Sequence, residues 1–133
     1  MFIAVDFDGT IVEHEYPDIG KEVPGAIEWL LKWQAAGASL ILWTMRCDSG
    51  PDGEVLEDAV RWCRDRGVEF AGHNRNPAQH WSQSPKAYAS VYVDDAAFGC
   101  PLVVTEEGRP YVDWSVVGPA VLKLLEAKYA RQG

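Results

Sequence analysis

Three short apolar runs, each breaking into a polar turn, set the pattern of this chain. Residues 2–5 run into Asp6, Phe7 and Asp8; residues 38–43 into Thr44, Met45 and Arg46; residues 90–93 into Asp94 and Asp95. Runs that are apolar without alternation suit strands buried on both faces of a parallel sheet. Between them the period changes. From Pro24, Ile27, Leu30 and Leu31 fall on one helical face, widened by Trp29 and Trp33, until Gly37 ends the helix. Beyond the turn formers 48–53, Leu56, Ala59, Val60 and Cys63 repeat that spacing up to Gly67, and Val117, Val121, Leu124 and Leu125 mark a closing helix. A short strand is expected at 68–70, and a strand or hairpin at 102–105 and 110–112, around Glu106 and Arg109. Residues 11–23, with Pro17 and Gly20, and the polar stretch 71–85 have no period and read as loops. The second is long for a plain connection, and such loops tend to be functional.

Strands alternating with helices predict an α/β fold, a parallel sheet covered by helices on both faces. Ligands of such sheets collect at the carboxyl ends of the strands. Asp6, Thr44 and Asp94 all stand at such ends.

The totals narrow the reading. A chain of 133 residues fits one domain, 1–133, able to bury about 70% of its unfolded surface. With 47% apolar and 24% charged residues the composition is that of a globular protein and excludes a disordered chain. A net charge of -8 argues against a nucleic-acid partner, which would require clustered Lys and Arg. Cys47, Cys63 and Cys100 are odd in number and lack metal-site spacing, which points to reduced thiols and a cytoplasmic setting. No stretch approaches the ~20 apolar residues of a membrane span.

Asp6 and Asp8 lie one residue apart, so their side chains can lean to the same side while Phe7 faces away. Two carboxylates in one small space repel unless a cation lies between them, which predicts either a metal ion or a division into acid and base. Asp6, Phe7, Asp8, Gly9 and Thr10, after an apolar strand, resemble the first motif of the haloacid dehalogenase superfamily, most of whose members are phosphatases. Thr44 matches the second motif, Lys86 the third, and Asp94 with Asp95 the fourth, in order across nearly the whole chain.

That resemblance implies a three-layer Rossmann-like fold and a magnesium-dependent phosphomonoester hydrolase working through an aspartyl-phosphate. Asp6 would be the nucleophile and Asp8 the general acid and base. Mg2+ would be held by Asp6, the backbone carbonyl of Asp8, and Asp94, with Asp95 ligating directly or acting through water. Thr44 and Lys86 would bind the substrate phosphate. Arg46, two residues beyond Thr44, could clamp the phosphate with its fork or make a structural salt bridge. Many relatives insert a cap domain, but residues 11–23 are too short for one and the interval from Thr44 to Lys86 is consumed by a helix, a strand and a loop. A capless, open site follows, covered at most by the 71–85 loop or by a second subunit in a homo-oligomer. The substrate is expected to be a small phosphorylated molecule, since no basic surface would dock a polyanion. His14 reads as a solvated loop residue first and a substrate contact second, His73, Asn74, Arg75 and Trp81 as substrate contacts or plain loop surface, and Cys47 lacks a paired base. Two other functions fit the same residues: a non-catalytic phosphate- or metal-binding module, and a phosphotransferase.

Overall fold

The computed structural model describes residues 1–131. Four parallel strands, β1 (Phe2–Val5), β2 (Ser39–Leu42), β3 (Phe70–His73) and β4 (Val91–Val93), stand in the order β3-β2-β1-β4. Helices α1 (Ala26–Ala35) and α2 (Val55–Arg64) carry the chain from β1 to β2 and from β2 to β3. A short antiparallel pair, β5 (Leu102–Val103) and β6 (Tyr111–Val112), then leads into α3 (Trp114–Ala130). The fold is thus α/β with a Rossmann-like parallel sheet flanked by helices. No described helix is long and apolar enough to cross a membrane.

Strand alternation divides the core. Ile3, Val5, Leu40, Leu42 and Val93 face one side, where they pack with buried residues of all three helices, among them Leu30 and Trp33 of α1, Val60 and Cys63 of α2, and Val121 and Leu125 of α3. Ala4 and Ile41 face the other side and pack with Ala87 and Ala89, bordered by Phe2, Trp43 and Tyr92. Among the described residues only one face is therefore covered by helices, where both were expected. Right-handed crossovers account for this. The steps β1 to β2 to β3 move one way across the sheet and put α1 and α2 on the same face. The step from β3 to β4 crosses back over β1, so its connection, residues 74–90, lies on the opposite face. That connection is irregular and contains Pro77 and Pro85, which suit no helix interior.

The third strand also lies further along than the apolar residues indicate. Val68 is buried, but its N–H bonds the carbonyl of Cys63 and so closes the turn after α2. The ladder with β2 begins only at Phe70, slips between Leu40 and Ile41, and continues through Gly72 and His73. Helix α1 starts at Ala26, after Gly25 at φ 83°, two residues beyond Pro24. At the other end of the molecule Asp113 caps α3 by accepting the Ser115 N–H at 3.1 Å. Trp114 then donates its indole N–H to the carbonyl of Thr10 at 2.7 Å. This bond fastens the start of α3 to the acidic turn after β1.

Candidate active site

Strands β1 and β4 are neighbours, yet the chain steps from β1 through β2 to β3 on one side and reaches β4 on the other only by crossing back, so the strand order reverses at this pair and the gap beyond their carboxyl ends is the switch point where ligands of such sheets bind. Asp6 follows β1, and Asp94 and Asp95 follow β4. The Asp6 N–H donates to the carbonyl of Val93 at 2.9 Å, so the two turns are laced together. Each of the three carboxylates places an oxygen within 4.8 Å of the others.

The cluster is held from behind. Thr10 is fully buried, with Oγ1 3.2 Å from Asp6 Oδ2 and 3.4 Å from Asp95 Oδ1, and it accepts the Asp95 N–H at 3.2 Å. His14 Nε2 lies 2.9 Å from Asp95 Oδ2. One oxygen of Asp95 is thereby held by His14, while the other shares the single Thr10 hydroxyl proton with Asp6. Gly9, at φ 80°, has no Cβ for a reason, because a Cβ there would fall on Nε2 of His14 and come within 2.5 Å of Asp95 Oδ2.

Burial, followed by the neighbouring carboxylate of Asp94, pushes the Asp6 carboxyl up to about 8. Asp94 is raised too, mainly by burial and then by Asp95. Without a cation Asp6 therefore tends to keep its proton near neutral pH. A set of carboxylate oxygens at this spacing fits a hard divalent cation such as Mg2+, whose binding would displace the proton of Asp6.

Thr44, after β2, lies on the same cleft as Asp6 and Asp94. Asn74, in the left-handed region at φ 56°, accepts the Thr44 N–H through Oδ1 at 2.7 Å. Thr44 Oγ1 accepts the Arg46 N–H at 3.1 Å, leaving its own proton free to donate. Asn74 is thus a strut for Thr44, with its amide nitrogen 3.4 Å from the Arg46 carbonyl.

Three expected residues sit elsewhere. Arg46 is 1% exposed and its five N–H groups are all used: Nε and Nη2 grip the two oxygens of Asp8 at 2.8 Å, Nη2 also reaches the Asp18 carbonyl at 2.8 Å, and Nη1 reaches those of Pro17 and Val55 at 3.2 and 3.1 Å. It is the structural salt bridge and not a phosphate clamp, because no donor remains. Asp8 is consequently turned to Arg46, and its carboxylate is not among the three that converge. Lys86 is exposed, with its ammonium 5.4 Å from the centre of the Tyr92 ring, and among the described residues no ion pair within 4 Å joins it to Asp6 or Asp94. The coil 74–90 delivers it to the second face of the sheet.

Sequence reasoning missed three contributors. His14 is a carboxylate partner where a solvated residue was expected, and only its closeness to the acidic turn hinted at this. Trp43 and Met45 flank Thr44 and line the cleft, yet in the sequence Trp43 looks like the end of a buried strand and Met45 like part of the polar turn after it. Cys47 and Cys100 are free thiols outside the cluster, and Cys63 is a core residue whose thiol burial pushes up to about 12.

No family model and no curated protein matches the chain. A solved structure of a conserved protein from Bacteroides thetaiotaomicron is 42% identical, with the match covering 92% of this chain and 90% of that one at a TM-score of 0.73. Identity at that level over nearly the full length of both means that this chain belongs to the same family as the Bacteroides thetaiotaomicron conserved protein.

Proposed function

We propose that this chain is a magnesium-dependent phosphatase of small phosphomonoesters, a capless member of the haloacid dehalogenase superfamily, acting through an aspartyl-phosphate on Asp6. The observation that carries the reading is the convergence of Asp6, Asp94 and Asp95 within 4.8 Å at the switch point, with Thr44 on the same cleft. The motif order along the chain supports it independently.

In this reading a carboxylate oxygen of Asp6 attacks phosphorus, the bond from phosphorus to the ester oxygen breaks, and the departing alcohol takes a proton. Water then attacks the aspartyl-phosphate, releasing phosphate and restoring Asp6. Asp6, Asp94 and the carbonyl of Asp8 would hold the Mg2+, which when bound neutralises the approach of one anion to another. Asp95 is fixed by Thr10 and His14 and so keeps the site in shape. Thr44 donates its hydroxyl proton to a phosphoryl oxygen. Asp8 can move a proton to the leaving oxygen only by exchanging Arg46 for the substrate, and Lys86 reaches the phosphoryl group only by leaving Tyr92.

The Asp8–Arg46 pair favours a second reading, in which the site binds phosphate or metal without turnover because its acid is permanently engaged. Hydrolysis of a generic aryl phosphate by wild type and Asp6→Asn, with and without Mg2+, separates the two. Activity that requires both Mg2+ and Asp6 supports the phosphatase. A folded wild type that binds Mg2+ by calorimetry yet releases no phosphate supports the binding module.

A further inference from the structure

We infer that the site takes phosphomonoesters of small alcohols with a flat apolar body, an inference that rests on the phosphatase reading and specifies its substrate class. The cleft over Asp6, Thr44 and Asp94 has a volume of about 330 Å3, and its remaining walls are Trp43, Met45, Asn74 and Pro85. That is near the small end of ligand pockets, with room for a phosphoryl group and a leaving group of one or two rings. Trp43 is half-buried, braced from behind by the Ala4 and Ile41 cluster. Met45 is 98% exposed, although its neighbour Arg46 is fully buried. A large apolar side chain left wholly in water at the mouth of a cleft is ready to be covered by a bound molecule, and a thioether beside an indole suits an aromatic ring.

The polar inventory of the cleft excludes the alternatives. No Lys or Arg lines it, since Arg46 is saturated and Lys86 lies over Tyr92. A second phosphate or a carboxylate on the leaving group would meet no cationic side chain on the cleft's own walls. A polyol would fare little better. Asn74 already has its amide oxygen on the Thr44 N–H and its amide nitrogen against the Arg46 carbonyl, so the hydroxyls of a sugar would lose water against indole, thioether and proline ring. In the adjoining groove the amides of Asn76 and Gln79 are taken by the backbone of Tyr88, Ala78, Ser82 and Lys86, but the exposed Arg75 also lines it, which makes a bisphosphate the competing ester in the test.

The test compares esters with alkyl leaving oxygens, so that intrinsic reactivity is matched: 2-phenylethyl phosphate, glycerol phosphate and a hexose bisphosphate, hydrolysed in the presence of Mg2+. 2-Phenylethyl phosphate should be preferred in kcat/KM by about tenfold or more over either of the others, with most of the gain in KM, as burial of one ring implies. Met45→Ser, whose side chain is exposed and whose folding is not at stake, should collapse that preference several-fold. Calorimetry with 2-phenylethylphosphonate and methylphosphonate, which cannot be hydrolysed, should show the same ratio in binding. Preference for glycerol phosphate or the bisphosphate, or a preference that Met45→Ser leaves intact, overturns the substrate class while the phosphatase stands. Failure to hydrolyse any ester, the generic aryl phosphate included, overturns both.

Discussion

A lysine at position 46 would offer three donors on one atom where the guanidinium of Arg46 offers five in a fixed fork. Arg46→Lys therefore strands carbonyls of Pro17, Asp18 and Val55 and breaks the bidentate grip on Asp8. The expected loss is about 3 kcal/mol of stability, measured by urea denaturation, since buried pairs deprived of one partner cost several kcal/mol. A loss below about 1 kcal/mol would show that the clamp is not structural. At Gly9 the constraint is both φ and space, so Gly9→Ala should displace His14 and Asp95 and weaken Mg2+ binding by about tenfold in calorimetry, the scale of second-layer effects on metal sites. Unchanged affinity would separate His14 from the site. The acidic residues were legible because two carboxylates at the end of an apolar run have few other uses. Arg46 was not, because nothing in its neighbours signals that two carbonyls of an aperiodic loop and one at the start of α2 will surround it. The place of Lys86 was no more legible, since a lysine in the right order along the chain says nothing about which face of the sheet its segment crosses.

Among the elements, the seam between α1 and α3 leaves the least slack. A Cβ on Gly118 would overlap the indole of Trp29, and the carbonyl of Gly118 accepts the Trp33 indole N–H at 3.0 Å. Trp33 and Trp114 close the seam with ring centres 5.1 Å apart. Gly118→Ala would raise helix propensity by up to ~1 kcal/mol in an isolated helix, yet it should destabilise the protein by about 1–3 kcal/mol through overpacking. A stabilising result in thermal melts would refute this packing. The three helices, the strands β1, β2 and β4, and the short hairpin were legible from period alone. β3 was not, because Gly72 and His73 owe their strand geometry to pairing with Ile41 and Leu42 rather than to apolar content. Nor was the cover of the second face: residues 74–90 satisfy their backbone with side chains, such as Gln79 Oε1 accepting the Tyr88 N–H at 2.7 Å and Asn76 Nδ2 donating to the Tyr88 carbonyl at 2.9 Å. Bonds of that kind leave no period in the sequence.

The whole molecule bears the cost of gathering carboxylates in a chain of net charge -8. In the metal-free folded state Asp6 keeps its proton up to about pH 8, whereas the unfolded chain loses it near the ordinary value of 3.8. Between those values the folded state binds more protons than the unfolded one, so this contribution is full below about pH 4 and is lost as pH rises through 8. Asp6→Asn, which carries no charge to desolvate, should match wild type below about pH 4 and pull ahead as pH rises, exceeding it at pH 8.5 by on the order of 1–3 kcal/mol in thermal melts without metal. Saturating Mg2+ should stabilise wild type above the metal-free protein, increasingly so as pH rises. Equal stability of the two proteins at pH 8.5 in chelator would contradict the crowding of Asp6 against Asp94. The most direct test of the central claim is acid quench of wild type turning over an aryl phosphate with Mg2+, followed by peptide mass spectrometry. A phosphoryl group on Asp6, absent from Asp6→Asn, is the predicted result; hydrolysis that proceeds in Asp6→Asn, with no phosphorylated aspartate in either protein, would contradict the account.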